Sequence, residues 1–240
     1  MSTINLSKKP KINLSKGQTI CLTKTGESSS EKLNKVFFGA SWKGKRRVDL
    51  DASLICYDAD LNIIETIYYG NKGSHNLSIQ HSGDDLYGGH TNDADNETIS
   101  ITLNSVQSNV KYIVATLNSF SGQSFDSLST ITARIYSGKL GEPEEVLCAY
   151  TLTDNKLFKD KKAIVLGYFI RNSIWEFKAD GRTSRDTRIG SIINGIAKDA
   201  ISSERSIIYE STPHYEMAPV NIPSNKSWFS KIIDCILNIF

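Results

Sequence analysis

Up to about Asp180 the chain is a succession of short β-branched and aromatic runs. They are QTICLTK, KVFFGASW, VDLDASLICYD, NIIETIYY, ETISITL, VKYIVATL, TITARIYS, VLCAYTL, AIVLGYFI and SIWEFKA. Polar turns such as DADLN, GNKGSHN, SGKLGEPEE and TDNK separate them. Many short strands without intervening helical periods predict an all-β, antiparallel sandwich or barrel. Runs such as AIVLGYFI, apolar on both faces, favour a two-sheet sandwich over residues 1–181.

After Gly181 the period changes, and a helical C-terminal tail is expected. Ile189, Ile192, Ile193, Ile196, Ala197, Ala200 and Ile201 follow the spacing of an amphipathic helix, within a segment covering 182–211. Residues 212–225 hold three of the five prolines (Pro213, Pro219, Pro223) and read as a linker. Residues 226–240 read as a second amphipathic helix, with Trp228, Phe229, Ile232, Ile233, Ile236, Leu237, Ile239 and Phe240 on one half. Its apolar part rises only about 20 Å, too short for a bilayer core of about 30 Å. Three uses remain open: folding back or self-association, then a protein partner's groove, then peripheral contact with a membrane surface. The last ranks lowest because Lys226 and Lys231 alone make a poor anionic-lipid signal.

Charge distribution adds what the net value of +2 hides. Between Asp49 and Glu97 ten acidic residues face one base, Lys72, giving −9, while the remainder carries 27 basic and 16 acidic residues, or +11. Such concentration suggests a cation site, with a solvated acidic face as the plain alternative. Cys21, Cys56, Cys148 and Cys235 are scattered, with no CxxC pair, and the start MSTINLSKKPK has no apolar signal region. The expected location is cytoplasmic, peripheral at the inner membrane if the tail meets lipid.

Two places concentrate the acids. Along Val48–Asp58 the residues alternate, so Asp49 and Asp51 share a face with Cα atoms about 6.5–7 Å apart. Carboxylates that close need a cation, a base or water between them, and Arg46 and Arg47 offer a salt-bridged alternative. The stretch from Gly83 to Glu97 is glycine-containing and rich in oxygens, holding Asp84, Asp85, Asp93, Asp95 and Glu97. Calcium takes six to eight such ligands at about 2.3–2.6 Å. Zinc is disfavoured, since only His81 and His90 lie near and no cysteine does. An EF-hand beginning at Asp93 fails: its sixth position is Thr98, not glycine, and its twelfth is Asn104, not Glu. On spacing alone, a metal site and a solvated acidic loop both stay open.

Five stretches, in order, resemble the tellurium-resistance TerD family: INLSKGQTICLTK, VDLDASLICYD, HSGDDLYGGHTNDADNETISITL, FSGQSFDSLSTITARIYS and GYFIRNSIWEFKADG. The resemblance spans roughly residues 1–181 and implies a calcium-binding sandwich without a known catalytic centre. It implies work in bacterial tellurite- and stress-resistance systems beside membrane-associated partners. Asp49 and Asp51 match the family's strand aspartates, Asp84 its Gly-Asp, and Asp95 and Glu97 its closing acidic triplet. Asp85 replaces an Asn but keeps an oxygen; Asn96 stands where a second Asp is expected; the His90–Ala94 loop is longer than usual. These departures favour one calcium site over two.

The expected function is therefore a non-enzymatic calcium-binding module with a recruiting tail. A metal-independent interaction scaffold is the alternative, and a metal-dependent hydrolase a more remote one. No GxSxG, P-loop or GxGxxG motif is present. The basic run Lys43–Arg47 beside two aspartates reads as charge balance, and no nucleic-acid partner is expected.

Overall fold

The structure, a computed structural model, describes residues 9–22, 33–46, 48–83, 95–153 and 155–203. Thirteen strands are found among them: β1 (Ile12–Leu14), β2 (Thr19–Cys21), β3 (Lys35–Gly44), β4 (Leu50–Tyr57), β5 (Ile63–Ile67), β6 (Ile79–His81), β7 (Glu97–Thr102), β8 (Tyr112–Ser119), β9 (Leu128–Lys139), β10 (Glu142–Leu152), β11 (Ala163–Arg171), β12 (Trp175–Ala179) and β13 (Thr183–Ser184). They form two sheets. Sheet A has the order β1-β10-β9-β3-β7-β6, and sheet B the order β2-β12-β11-β8-β4-β5, with β13 also on β11. All pairings are antiparallel except β1 with β10. The all-β, two-sheet sandwich expected from the strand pattern is what the chain forms. All ten apolar runs carry strands; β1, β6 and β13, each of two or three residues, are too short to show a period.

Alternation explains the layers. Leu50, Ala52, Leu54 and Cys56 of β4 and Ile113, Ala115 and Leu117 of β8 turn into the core between the sheets. They meet Val36, Phe38, Ala40 and Trp42 of β3 there. The opposite face of sheet B is also covered. Helix α2 (Ile189–Ile192) continues through a wide turn at Ile193–Ala197, where Gly195 leaves helical angles, into further helix over 198–203. Its Ile193, Ala197, Ala200 and Ile201 pack on Ile55, Tyr57, Val114 and Tyr168. The Tyr57 hydroxyl donates to the Ile193 carbonyl at 2.7 Å. The apolar stripe read from the sequence is thus the face that the helix buries on sheet B. One other short helix, α1 (Asn155–Phe158), packs near the Phe125–Ser127 turn through the edge contact of Phe158 with Phe125.

Among the described residues no helix is long and apolar enough to cross a membrane. Cys21, Cys56 and Cys148 are free. The expected linker at 212–225 and C-terminal helix at 226–240 lie outside the described residues.

Candidate metal centre

Four of the seven acidic residues expected to hold a cation can be placed. Asp84, Asp85 and Asp93 lie outside the described residues. Asp49 stands just before β4 and Asp51 within it, on the face opposite Leu50 and Ala52, so the two share the outer face of sheet B as the alternation predicts. Asp51 is buried, at 3% exposure.

Glu97 points the other way, into the sandwich. It opens β7 in register with inward-facing Ala40, and its Oε2 accepts the Ala52 amide proton at 2.6 Å. Strand β5 pairs only with Leu54–Tyr57, so the start of β4 has no neighbouring strand on that side. Glu97 supplies the missing acceptor from the other sheet. His81 completes the contact. Its Nδ1 accepts the Gly83 amide at 3.0 Å, which leaves the ring proton on Nε2. Nε2 lies 3.4 Å from Glu97 Oε2 and 3.3 Å from the Ala52 carbonyl, with both side chains fully buried. Together they act as a strand edge made of side chains, tying β4 to β6 and β7.

Asp95 is elsewhere again. Asn96 crosses between the two acids, its amide donating to the Ala40 carbonyl at 2.8 Å and its Oδ1 accepting from Trp42 N at 2.9 Å. Asp95 therefore lies on sheet A against Gly39, in register with Arg134, and accepts from Arg134 Nε at 2.8 Å. Burial pushes its carboxyl above the usual carboxylate range, against the opposing pull of the Arg134 hydrogen bond. Gly39 leaves the room this needs: a Cβ there would overlap the Asp95 carboxylate and force it to shift. Among the described residues no three His, Cys, Asp or Glu side chains converge on one point.

The oxygens that do gather near Asp51 come from β8. Register sets Asn118 opposite Asp51, and Thr116 opposite Ser53, on the same outer face. Asn118 Oδ1 and Thr116 Oγ1 are buried and have no hydrogen-bond partner. Ser119 Oγ shares that condition but sits opposite Leu50, on the other face. Buried acceptors are normally satisfied, so this patch is chemically unusual.

With this geometry in place, the sequence relatives become informative. The sequence matches the TerD domain over residues 11–194, past the last strand and into the helix. The chain belongs to the TerD domain family. It is 31% identical over 206 residues to Tellurium resistance protein TerZ of Serratia marcescens, covering 80% of this chain and 98% of that protein. It is 32% identical over 183 residues to General stress protein 16U of Bacillus subtilis (strain 168), covering 71% and 89%. The crystal structure of a homologue of telluride resistance protein (TerD) from Streptomyces coelicolor shares the fold, with a TM-score of 0.52 at 18% identity over 66% of this chain and 95% of that one.

Against its family, this TerD chain reveals residues that motif reading passed over. Arg134, Asn118 and Thr116 sit in ordinary strand positions, and only register exposes their partners, whereas His81 is legible in the sequence as a nearby imidazole but not as a partner of Glu97. Arg171 was also missed. Its guanidinium stacks 4.7 Å from the Trp175 ring and donates to the Val106 and Gln107 carbonyls, while its Nε is buried and without a partner. It lines a cleft of ≈ 310 Å³ with Leu33, Asn104 and Trp175.

Proposed function

We infer that this chain is a non-enzymatic calcium-binding module of a bacterial tellurite- and stress-response system. The observation that carries the reading is the oxygen-rich, buried start of β4, where Asp51 faces the partnerless Asn118 Oδ1, within the chain's acidic segment. A hard cation suits such oxygens, and calcium tolerates the mixed carboxylate and amide set better than magnesium. The names of the relatives, tellurium resistance and general stress protein, support the physiological setting.

Asp49 and Asp51 supply the negative charge, and Asp84, Asp85 and Asp93 are sequence candidates for further ligands. Asp95 and Glu97 support the site through the contacts that hold β3, β4 and β7 in place. The segment 226–240, read from the sequence as an amphipathic helix, recruits a protein partner or a second copy, in the cytoplasm or at the inner-membrane periphery. A hydrolytic role is disfavoured because His81, the candidate base that falls among the described residues, is buried and already engaged on both ring nitrogens.

Calorimetric titration of chelated protein tests the calcium reading. A saturable heat with calcium and none with equal magnesium is the expected result. No heat at millimolar calcium in folded protein would leave the metal-independent scaffold as the better account.

A further inference from the structure

The family motifs place the ion among acids of one strand and one loop, yet three buried side-chain oxygens without a hydrogen-bond partner belong to β8. Asn118 is 7% exposed and Thr116 is fully buried, and neither Asn118 Oδ1 nor Thr116 Oγ1 has a hydrogen-bond partner. Leaving one buried acceptor unsatisfied costs free energy, and two on adjacent positions of one face cost more. The register makes them neighbours of an acid. Asp51 stands opposite Asn118, where cross-strand Cα atoms lie about 4.5–5.5 Å apart, and Thr116 is the next outward residue along β8.

We propose that Asn118 and Thr116 of β8 are ligands of the bound calcium, so that the ion bridges β4 and β8 on the outer face of sheet B. This rests on the calcium reading and deepens it. Asn118 Oδ1 would coordinate the ion as a neutral amide oxygen, Thr116 Oγ1 as a hydroxyl, and Asp51 would supply charge. Calcium accepts all three kinds of ligand, which hold the ion without requiring a cluster of acids. Glu97 and Asp95 take no part in this shell, because Glu97 is turned into the sandwich onto the Ala52 amide and Asp95 onto Arg134 on sheet A. The ion would thereby pin together two neighbouring strands of the helix-covered sheet, and coupling between calcium and the helix follows from their shared face.

The test is calcium titration of the chelated full chain, with magnesium as control, for wild type and for Asn118→Leu, Thr116→Val, Asn118→Asp and Glu97→Gln. Melting temperatures are recorded with chelator and with calcium. Leu and Val approximate the shapes they replace but bring no oxygen. Asn118→Leu is expected to weaken calcium binding by about tenfold or more and Thr116→Val by severalfold, while Asn118→Asp, which keeps an oxygen, retains it. In chelator neither apolar variant should melt below wild type, because each removes an unsatisfied buried acceptor. Loss of calcium-induced stabilisation with unchanged melting in chelator is what a ligand predicts and a packing residue does not. Wild-type affinity in Asn118→Leu and Thr116→Val, or a tenfold loss confined to Glu97→Gln, would overturn the assignment while leaving calcium binding intact. Absence of calcium binding by wild type would instead remove the calcium reading itself. Should Asn118→Leu fail to fold, Thr116→Val and Asn118→Asp decide the matter.

Discussion

Removing Glu97 separates a structural role from a ligand role, because the two predict opposite behaviour in chelator. In Glu97→Ala the Ala52 amide loses an acceptor at 2.6 Å inside a buried corner. An unsatisfied buried donor costs about 1–3 kcal/mol. The side chain is 1% exposed, so truncation also leaves a void worth roughly 1 kcal/mol at the usual cavity rate. Relief from holding a desolvated carboxylate offsets part of this, leaving a net loss of about 2–3 kcal/mol. For a domain of this size, 1 kcal/mol moves the midpoint by roughly 2–4 °C, so Glu97→Ala should melt about 4–12 °C below wild type. Glu97→Gln keeps the shape and one acceptor oxygen and should lose less than half as much. The assay is calorimetric or circular-dichroism melting in chelator, where no ligand effect operates. A shift under about 2 °C for Glu97→Ala would refute the clamp, since a pure calcium ligand has no reason to stabilise the metal-free protein.

Gly39→Ala should lower stability by roughly 2–3 kcal/mol, because the new methyl displaces the Asp95 carboxylate from Arg134. A double-mutant cycle with Asp95→Ser checks this: independent, additive losses would contradict the contact. Burial raises the Asp95 carboxyl above its unfolded value, so its contribution to stability is present below about pH 3.9 and lost as pH rises through the folded value. Urea midpoints of wild type, relative to Asp95→Asn, should therefore fall as pH rises from about 4 towards neutrality, and a flat or rising difference would count against it. Burial pushes the Cys148 thiol up to about 12 and Cys56 higher still, whereas Cys21 is exposed. Iodoacetamide followed by peptide mapping should modify Cys21 in native protein and reach Cys56 and Cys148 only in denaturant; native labelling of either buried thiol would contradict the packing.

Period and composition are enough to read the sandwich and the apolar stripe of the helix, but not that the stripe docks on sheet B. The repeated apolar alternation that defines β4 and β8 is the same pattern that packs their inner faces in the core. The acidic residues were legible as a group but not as a geometry. Spacing of two suggests one face for Asp95 and Glu97, yet β7 begins only at Glu97, and Asn96 turns the chain across β3 just before it. One acid thus meets Arg134 on sheet A and the other enters the core. Asn118 carries no motif signal because amides in strands are unremarkable. Its position opposite Asp51 depends on the pairing of strands about 65 residues apart, which local pattern does not encode.

The most direct measurement is a crystal structure of the protein grown with calcium, with an anomalous difference map collected to locate the ion. A peak on the outer face of sheet B, within about 2.3–2.6 Å of oxygens from Asp51 and Asn118, is the predicted result. A peak beside Glu97 or Asp95 would contradict the ligand assignment. A map without any peak on the acidic segment at saturating calcium would contradict the calcium-binding function.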